Sequence, residues 1–536
     1  MKARSLLRAS AAFAATAVTA LPAGAFTLHV LHINDFHSRL QSINANDSTC
    51  SAEDESAGEC FGGAARLHNA INTLRDELVA AGENVIVVDA GDQFQGSLFF
   101  TTFSGGAELE FMNGVGFDAM VVGNHEFDLG PEPLLKFVEG AEFPVIFGNA
   151  DVSGDNRLAA LDRDSVIVEV GGERVGILGV VAEDTAETSS PGPGISFGSA
   201  ADTLAEGVAA LEAEGVDKVI ALTHVGVPKD LQLAGAVAGL DAIIGGHSHT
   251  LFSNTVEGTR PYPVMAPGVD GATVPIVQAG AFSKYLGHLV LEFDDAGEVI
   301  SATGDTILMD ASVEPDPDVL ARIAEMSGPI DELMAREVAL IEGDIDGSRE
   351  TCRAQECQMG NLVADAILDR VASQGVTIAI QNGGGLRASI GGPEVTKGEV
   401  LTVLPFQNTL ATFNLSGAGI VAALENGFSL VEEGAGRFPQ VAGLKVVWDP
   451  AAEPGSRVSE VSVRDGEGWA PIDPAATYTV ASNNFMRKGG DGYAMFSEQG
   501  ENAYDFGPNL EDVVSDYLAA NPGYVPFIDG RITTVQ

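Results

Sequence analysis

Lysine and arginine are scarce. The 536-residue chain has 28 of them against 76 aspartates and glutamates, a formal charge of −48. So acidic a surface repels phosphate backbones, which excludes a nucleic-acid polymer as partner. Small anionic substrates stay open, because bound metal ions can supply local positive charge. Aromatics are sparse at 7%, but hydrophobic residues reach 45%, so the chain folds rather than staying disordered. Internal repeats and low-complexity tracts are absent beyond the N-terminal region. Long apolar runs are missing after residue 25, and the polar end, residues 530–536, has no lipid-anchor tail. No stable membrane anchor is expected. Cysteine is limited to four residues, and neither Cys50/Cys60 nor Cys352/Cys357 has the C-x-x-C spacing of a zinc ribbon. Two local disulfides are the expectation.

What is present begins with an export signal. Lys2, Arg4 and Arg8 precede an Ala-rich apolar run, and Ala23-Gly24-Ala25 offers a small-x-small cleavage site. The mature protein is expected to start near Phe26, in the periplasm or outside the cell, where disulfides persist. Its length calls for two domains. Apolar runs at 27–33, 84–88, 119–122, 144–147, 175–181, 218–222 and 242–244 read as buried strands, with amphipathic helices at 64–79 and 201–214. That alternation predicts a mainly parallel sheet covered by helices. A helical pattern over 316–340, with Asp316 as N-cap and Pro317 in the first turn, predicts a connection to a second α/β unit beginning near Gly343.

The strand ends are unusual. They read Asn34-Asp35-Phe36-His37, then Asp89-Ala90-Gly91-Asp92, then Gly123-Asn124-His125-Glu126 with Asp128 after it, then Thr223-His224, and last Gly246-His247-Ser248-His249. Five of the nine histidines lie in these stretches; His29, His32, His68 and His288 read as ordinary structural residues. Open α/β sheets bind ligands at the carboxyl ends of their strands. Carboxylate, amide and imidazole donors together suit first-row divalent ions such as Zn, Mn, Fe or Co. One carboxylate can bridge two such ions about 3.5–4 Å apart. Asp92, following a glycine that permits close approach, is the best candidate for that bridge.

In this order, D-x-H, GD, GNHE, TH and GHSH resemble the calcineurin-like metallophosphoesterases. The second half adds Asn382-Gly383-Gly384-Gly385-Leu386-Arg387, Leu404-Pro405-Phe406, Asn484-Phe485 and Gly489-Gly490-Asp491-Gly492. Together they resemble the secreted 5'-nucleotidases over nearly the whole mature chain.

The resemblance implies an α/β fold, a four-layer α/β-β/α metal domain joined by a helix to a smaller α/β nucleotide-binding domain. The expected boundaries are 1–25 for the signal, 26–312, 313–342 for the linker, and 343–536. It implies two divalent ions, Zn or Mn first. Asp35, His37, Asp92 and His249 would hold one, and Asp92, Asn124, His224 and His247 the other. Position 249 is His here, where some relatives carry Gln or Asn. His125 is implied as the catalytic histidine, oriented by Asp128, while Glu126 reads as structural. No Ser or Cys nucleophile motif is present, so direct attack by water on a nucleotide substrate is expected. Phe406 and Phe485 would sandwich the base, Asp491 would hold the ribose, and Arg353, Arg387 and Asn382 the phosphate, with Arg39 approaching from the metal domain. The alternatives are a cyclic-nucleotide phosphodiesterase, nucleotide-sugar hydrolase or thiosulfohydrolase on the same scaffold, and a non-catalytic nucleotide-binding protein.

Overall fold

The structure is a computed structural model that describes residues 26–535, apart from 45, 46, 48, 162, 270, 407, 467 and 506. The expected signal and its cleavage site lie outside the described residues.

The first half is built on two six-stranded sheets packed face to face. One runs in the order Val299–Leu308, Tyr285–Phe293, Phe26–Ile33, Asn84–Asp89, Ala119–Val121, Val145–Ile146. The other runs Val264–Pro267, Thr273–Val277, Ala242–Gly245, Lys218–His224, Glu173–Val181, Ser165–Val170. Each of the seven apolar runs forms a strand. The expected mainly parallel, helix-covered sheet resolves into two, each with three parallel and two antiparallel pairings, as the four-layer expectation has it. Phe26–Ile33 pairs parallel with Asn84–Asp89 but antiparallel with Tyr285–Phe293, and Glu173–Val181 pairs antiparallel with Ser165–Val170.

Period-two burial explains the layers. Val30 and Ile86 face the second sheet, while their neighbours Leu31 and Val87 face helices carrying Leu67, Ile71 and Phe111. Burying each such side chain contributes roughly 1.5–3 kcal/mol. On the far side, Leu204, Val208 and Leu211 of the Ala200–Ala213 helix cover the second sheet. The result is helices, sheet, sheet, helices.

Asp316 caps the Pro317–Met334 helix, accepting hydrogen bonds from the amides of Asp318 and Val319. Ile323, Met326 and Ile330 pack it onto the first core. The helix stops at Met334, short of the expected 340. Glu337–Leu340 is a strand paired antiparallel with Glu394–Thr396, and that pairing takes the place of another helical turn. The second half holds a five-stranded and a four-stranded sheet. Both expected disulfides, Cys50–Cys60 and Cys352–Cys357, are formed. Among the described residues no helix is long and apolar enough to cross a membrane.

Candidate metal centre and substrate cleft

All seven expected ligands lie at carboxyl ends of strands, where the two sheets meet. Five of them, Asp35, His37, Asp92, His247 and His249, have positive φ, between 51° and 73°. A left-handed conformation costs a non-glycine residue about 1–3 kcal/mol, so five in one spot mark a backbone bent to aim side chains. The loops support one another: the amides of Asp35 and His37 donate to the carbonyls of Gly91 and Asp92 at 2.9 and 3.0 Å. Glycine is required at 91, where φ is 89° and a Cβ would lie 2.7 Å from the amide nitrogen of Gly123.

The donor atoms form two groups, Asp35/His37/His249 and Asp92/His224/His247, joined by a third, His37/Asp92/His125, each with its ligand atoms within 4.8 Å of one another. Nδ1 of His224 faces the Ala90 carbonyl at 2.7 Å, and Nδ1 of His37 faces those of Phe94 and Gln95 at 3.2 Å. Those contacts put the proton on Nδ1 and turn bare Nε2 atoms inward. Nε2 of His37 is then 3.0 Å from Nε2 of His249, and Nε2 of His224 is 3.0 Å from Asp92 Oδ2. The buried His224 Nε2 has no hydrogen-bond partner. Asn124 Oδ1 lies 2.9 Å from His247 Nδ1. Lone pairs so crowded repel unless a cation sits among them, and the donor set fits divalent first-row ions. Burial first of all holds His37, His247 and His249 well below the ordinary imidazole range, leaving them neutral as ligands must be. Burial also opposes charge on His224, but Asp92 and Asp35 outweigh it and push its pKa up to about 10. The pocket demands positive charge.

The rest of GNHEFD supports this centre. The buried Glu126 carboxylate accepts the amides of Asp92, Gln93, Phe94 and Gly123 at 2.6–3.1 Å. It therefore ties the Asp92 loop to the loop carrying Asn124. Glu126→Gln turns an amide NH2 toward those donors, and metal affinity should fall about 10–100-fold, the usual effect of losing support behind a ligand. Titration against a competing chelator measures this, and an unchanged affinity removes the role. The His125 amide donates to Asp92 Oδ1 at 2.9 Å, and its Nδ1 is 2.7 Å from Asp128 Oδ2. Asp128 is held in turn by Ser189 Oγ at 2.7 Å and Gln95 Nε2 at 3.2 Å.

A cavity of about 450 Å³ opens beside the centre, lined from both halves. Asp92, Asn124, His125, Asp128, His247 and His249 face Arg353, Asn382, Arg387, Phe406, Phe485 and Asp491 across it. Asp35, His37 and His224 are buried behind this wall. Asn382 Nδ2 donates to Asp491 Oδ2 at 2.6 Å, and Phe406 stacks on His125 with centroids 5.7 Å apart. Phe406 and Phe485 are half-buried rather than core.

Arg39 does not share this wall. It is 3% exposed with its guanidinium 4.9 Å from the Phe282 ring centroid. Left-handed His37 and Ser38 form the centre of the turn that the Arg39 amide closes on the Phe36 carbonyl. Arg39 lies behind the cavity wall, near enough for its charge to act on His37 and to feel that of Arg387. Arg349, which sequence reasoning missed, does line the cavity, with Nη2 3.2 Å from the His247 carbonyl oxygen. Burial and the neighbouring Arg387 lower its pKa to about 10. Its helix, Arg349–Cys352, ends one residue before Arg353, so both arginines come from one short segment.

Residues 28–251 match the calcineurin-like phosphoesterases, and residues 335–498 match the 5'-nucleotidase C-terminal domain. The chain is 35% identical to the human 5'-nucleotidase over 533 residues, covering 95% of this chain and 91% of that protein. It is 35% identical to the snake venom 5'-nucleotidase of Naja atra over 533 residues, 95% of this chain and 99% of that one. The crystal structure of the 5'-nucleotidase precursor from Thermus thermophilus matches with a TM-score of 0.90 at 39% identity, covering 95% of this chain and all of that one. The chain belongs to the 5'-nucleotidase family, with its calcineurin-like phosphoesterase domain followed by the 5'-nucleotidase C-terminal domain.

Proposed function

We propose that this protein is an exported two-metal hydrolase that removes the 5'-phosphate from nucleotides, giving nucleoside and phosphate. One observation carries the reading: a ligand-rich centre and a set of arginines, phenylalanines and a ribose-competent carboxylate line the same cavity. Asp35, His37, Asp92 and His249 would hold one divalent ion, and Asp92, Asn124, His224 and His247 the other, Zn or Mn being the first choices. Two such ions supply Lewis-acid polarisation and a water acidic enough to react near neutral pH.

The chain's own residues do the rest. Arg349, Arg353 and Arg387 grip the phosphate through forked, charge-assisted hydrogen bonds. His125, held by Asp128, stabilises the phosphoryl group and protonates the leaving oxygen. Asp491, with Asn382 behind it, accepts hydrogen bonds from ribose hydroxyls. Phe485 and Phe406 give the base aromatic faces that stack without demanding one sequence. Two formed disulfides support an oxidising compartment, periplasmic or extracellular.

The test is metal analysis of the purified protein, followed by product release from 5'-mononucleotides, cyclic nucleotides, nucleotide sugars and a thiosulfonate. No phosphate from 5'-mononucleotides, with turnover of another class, overturns the reading. Base recognition has its own check. Phe485 lies so close to Gly490 that a Cβ there would sit 2.5 Å from its ring, so the ring is held in place while lining the cavity. Phe485→Ala should lower kcat/KM for nucleotides about 10–100-fold. The loss should be much smaller on glycerol 2-phosphate, which has no base. Equal losses on both would make the ring a packing residue.

A further inference from the structure

We infer that Phe406 is a positioning residue for His125, so that the substrate domain completes the catalytic histidine's setting as well as gripping the base. The inference rests on the proposed role of His125 and adds to it a partner from the other domain. Through its side chain His125 is tied by one hydrogen bond, Nδ1 to Asp128 at 2.7 Å. That bond sets the tautomer but leaves the ring free to rock about it. Two further contacts fix the plane. The His37 ring meets His125 edge-on, with centroids 5.2 Å apart at 70°. Phe406 covers it with nearly parallel geometry, 5.7 Å away at 28°.

Phe406 comes from the segment after the Lys397–Val403 helix, in the second half of the chain. Its ring centroid is 5.5 Å from the guanidinium carbon of Arg387, whose Nη2 lies 3.4 Å from His37 Nε2. Arg387, Phe406, His37 and His125 thus form one cluster across the domain boundary. Phe406 therefore acts on the chemical step whether or not the substrate carries a base.

The experiment is a double-mutant cycle in the metal-loaded full chain, using glycerol 2-phosphate, which has no ring to stack. Phe406→Leu keeps apolar volume but removes the aromatic face. It should lower kcat about two- to tenfold, with KM and metal content little changed. Phe406→Tyr should restore kcat, which rules out a general folding defect. In a His125→Asn background, Phe406→Leu should have almost no further effect. An equal loss in both backgrounds, or a loss confined to KM, overturns the inference. Full activity of His125→Asn alone would instead overturn the role of His125, and the positioning role with it.

Discussion

Asp92→Ala is expected to abolish binding of both metal ions and to lower turnover by about 10⁴ or more, because hydroxide supply and charge stabilisation are lost together. The side chain reaches histidines of both ligand groups, more closely than Asp35, whose Oδ1 is 3.2 Å from His249 Nε2 but 3.9 Å from His224 Nε2. Asp92 Oδ2 is 3.0 Å from His224 Nε2, 3.7 Å from His37 Nε2 and 4.0 Å from His125 Nε2, while Oδ1 accepts the His125 amide. Alanine leaves inward-facing imidazoles with nothing to bridge the two positions. The second half of the chain has its own cores, around Ile367 and Phe428, and should stay folded. Metal stoichiometry, kcat and hydrogen exchange over residues 343–535 check each part separately. Two ions retained at full activity would refute the bridging assignment.

The proposed ligand positions were readable because each sits in a short string at the end of an apolar strand. Asp35, Asp92, Asn124, His224 and His247 needed no tertiary information to be noticed. How the strands assemble was less readable. Tyr285–Phe293 and Val299–Leu308 pair antiparallel at one flank of the first sheet, and their half-exposed, alternating residues give no long apolar run. The end of the linking helix was missed for a related reason. Residues 337–340 satisfy a helical pattern locally, yet pairing with Glu394–Thr396 decides their conformation. Arg349 lies on a helix of four residues, too short for periodicity to register. Glu126 reads as structural from the sequence, but its partners were hidden because they are backbone amides, which leave no trace in side-chain identity. The burial of Arg39 behind the cavity wall was equally hidden, because its packing on Phe282 joins segments more than 200 residues apart.

His125→Asn is expected to keep both metal ions and lose about 10²–10⁴ in turnover, the range of a group that donates a proton or stabilises developing charge. Asparagine retains a backbone amide for Asp92 Oδ1 but has no imidazole to protonate a leaving oxygen. A pH profile gives a second readout. Burial works against the imidazolium, yet the carboxylates of Asp128 and Asp92 outweigh it, and the His125 pKa lies above its ordinary value. The protonated form therefore persists to higher pH, and activity should fall as pH rises through that raised pKa. Bound metal ions would neutralise Asp92 and oppose the imidazolium, which leaves Asp128 as the partner that supports the protonated form. Asp128→Asn removes that charge, so the fall in activity should move to lower pH while metal content is unchanged. The group Asp92, His37 and His125 also has its ligand atoms within 4.8 Å of one another, so ligation by His125 is the rival reading. Loss of an ion in His125→Asn, with no shift of the profile in Asp128→Asn, would make His125 a ligand rather than an acid.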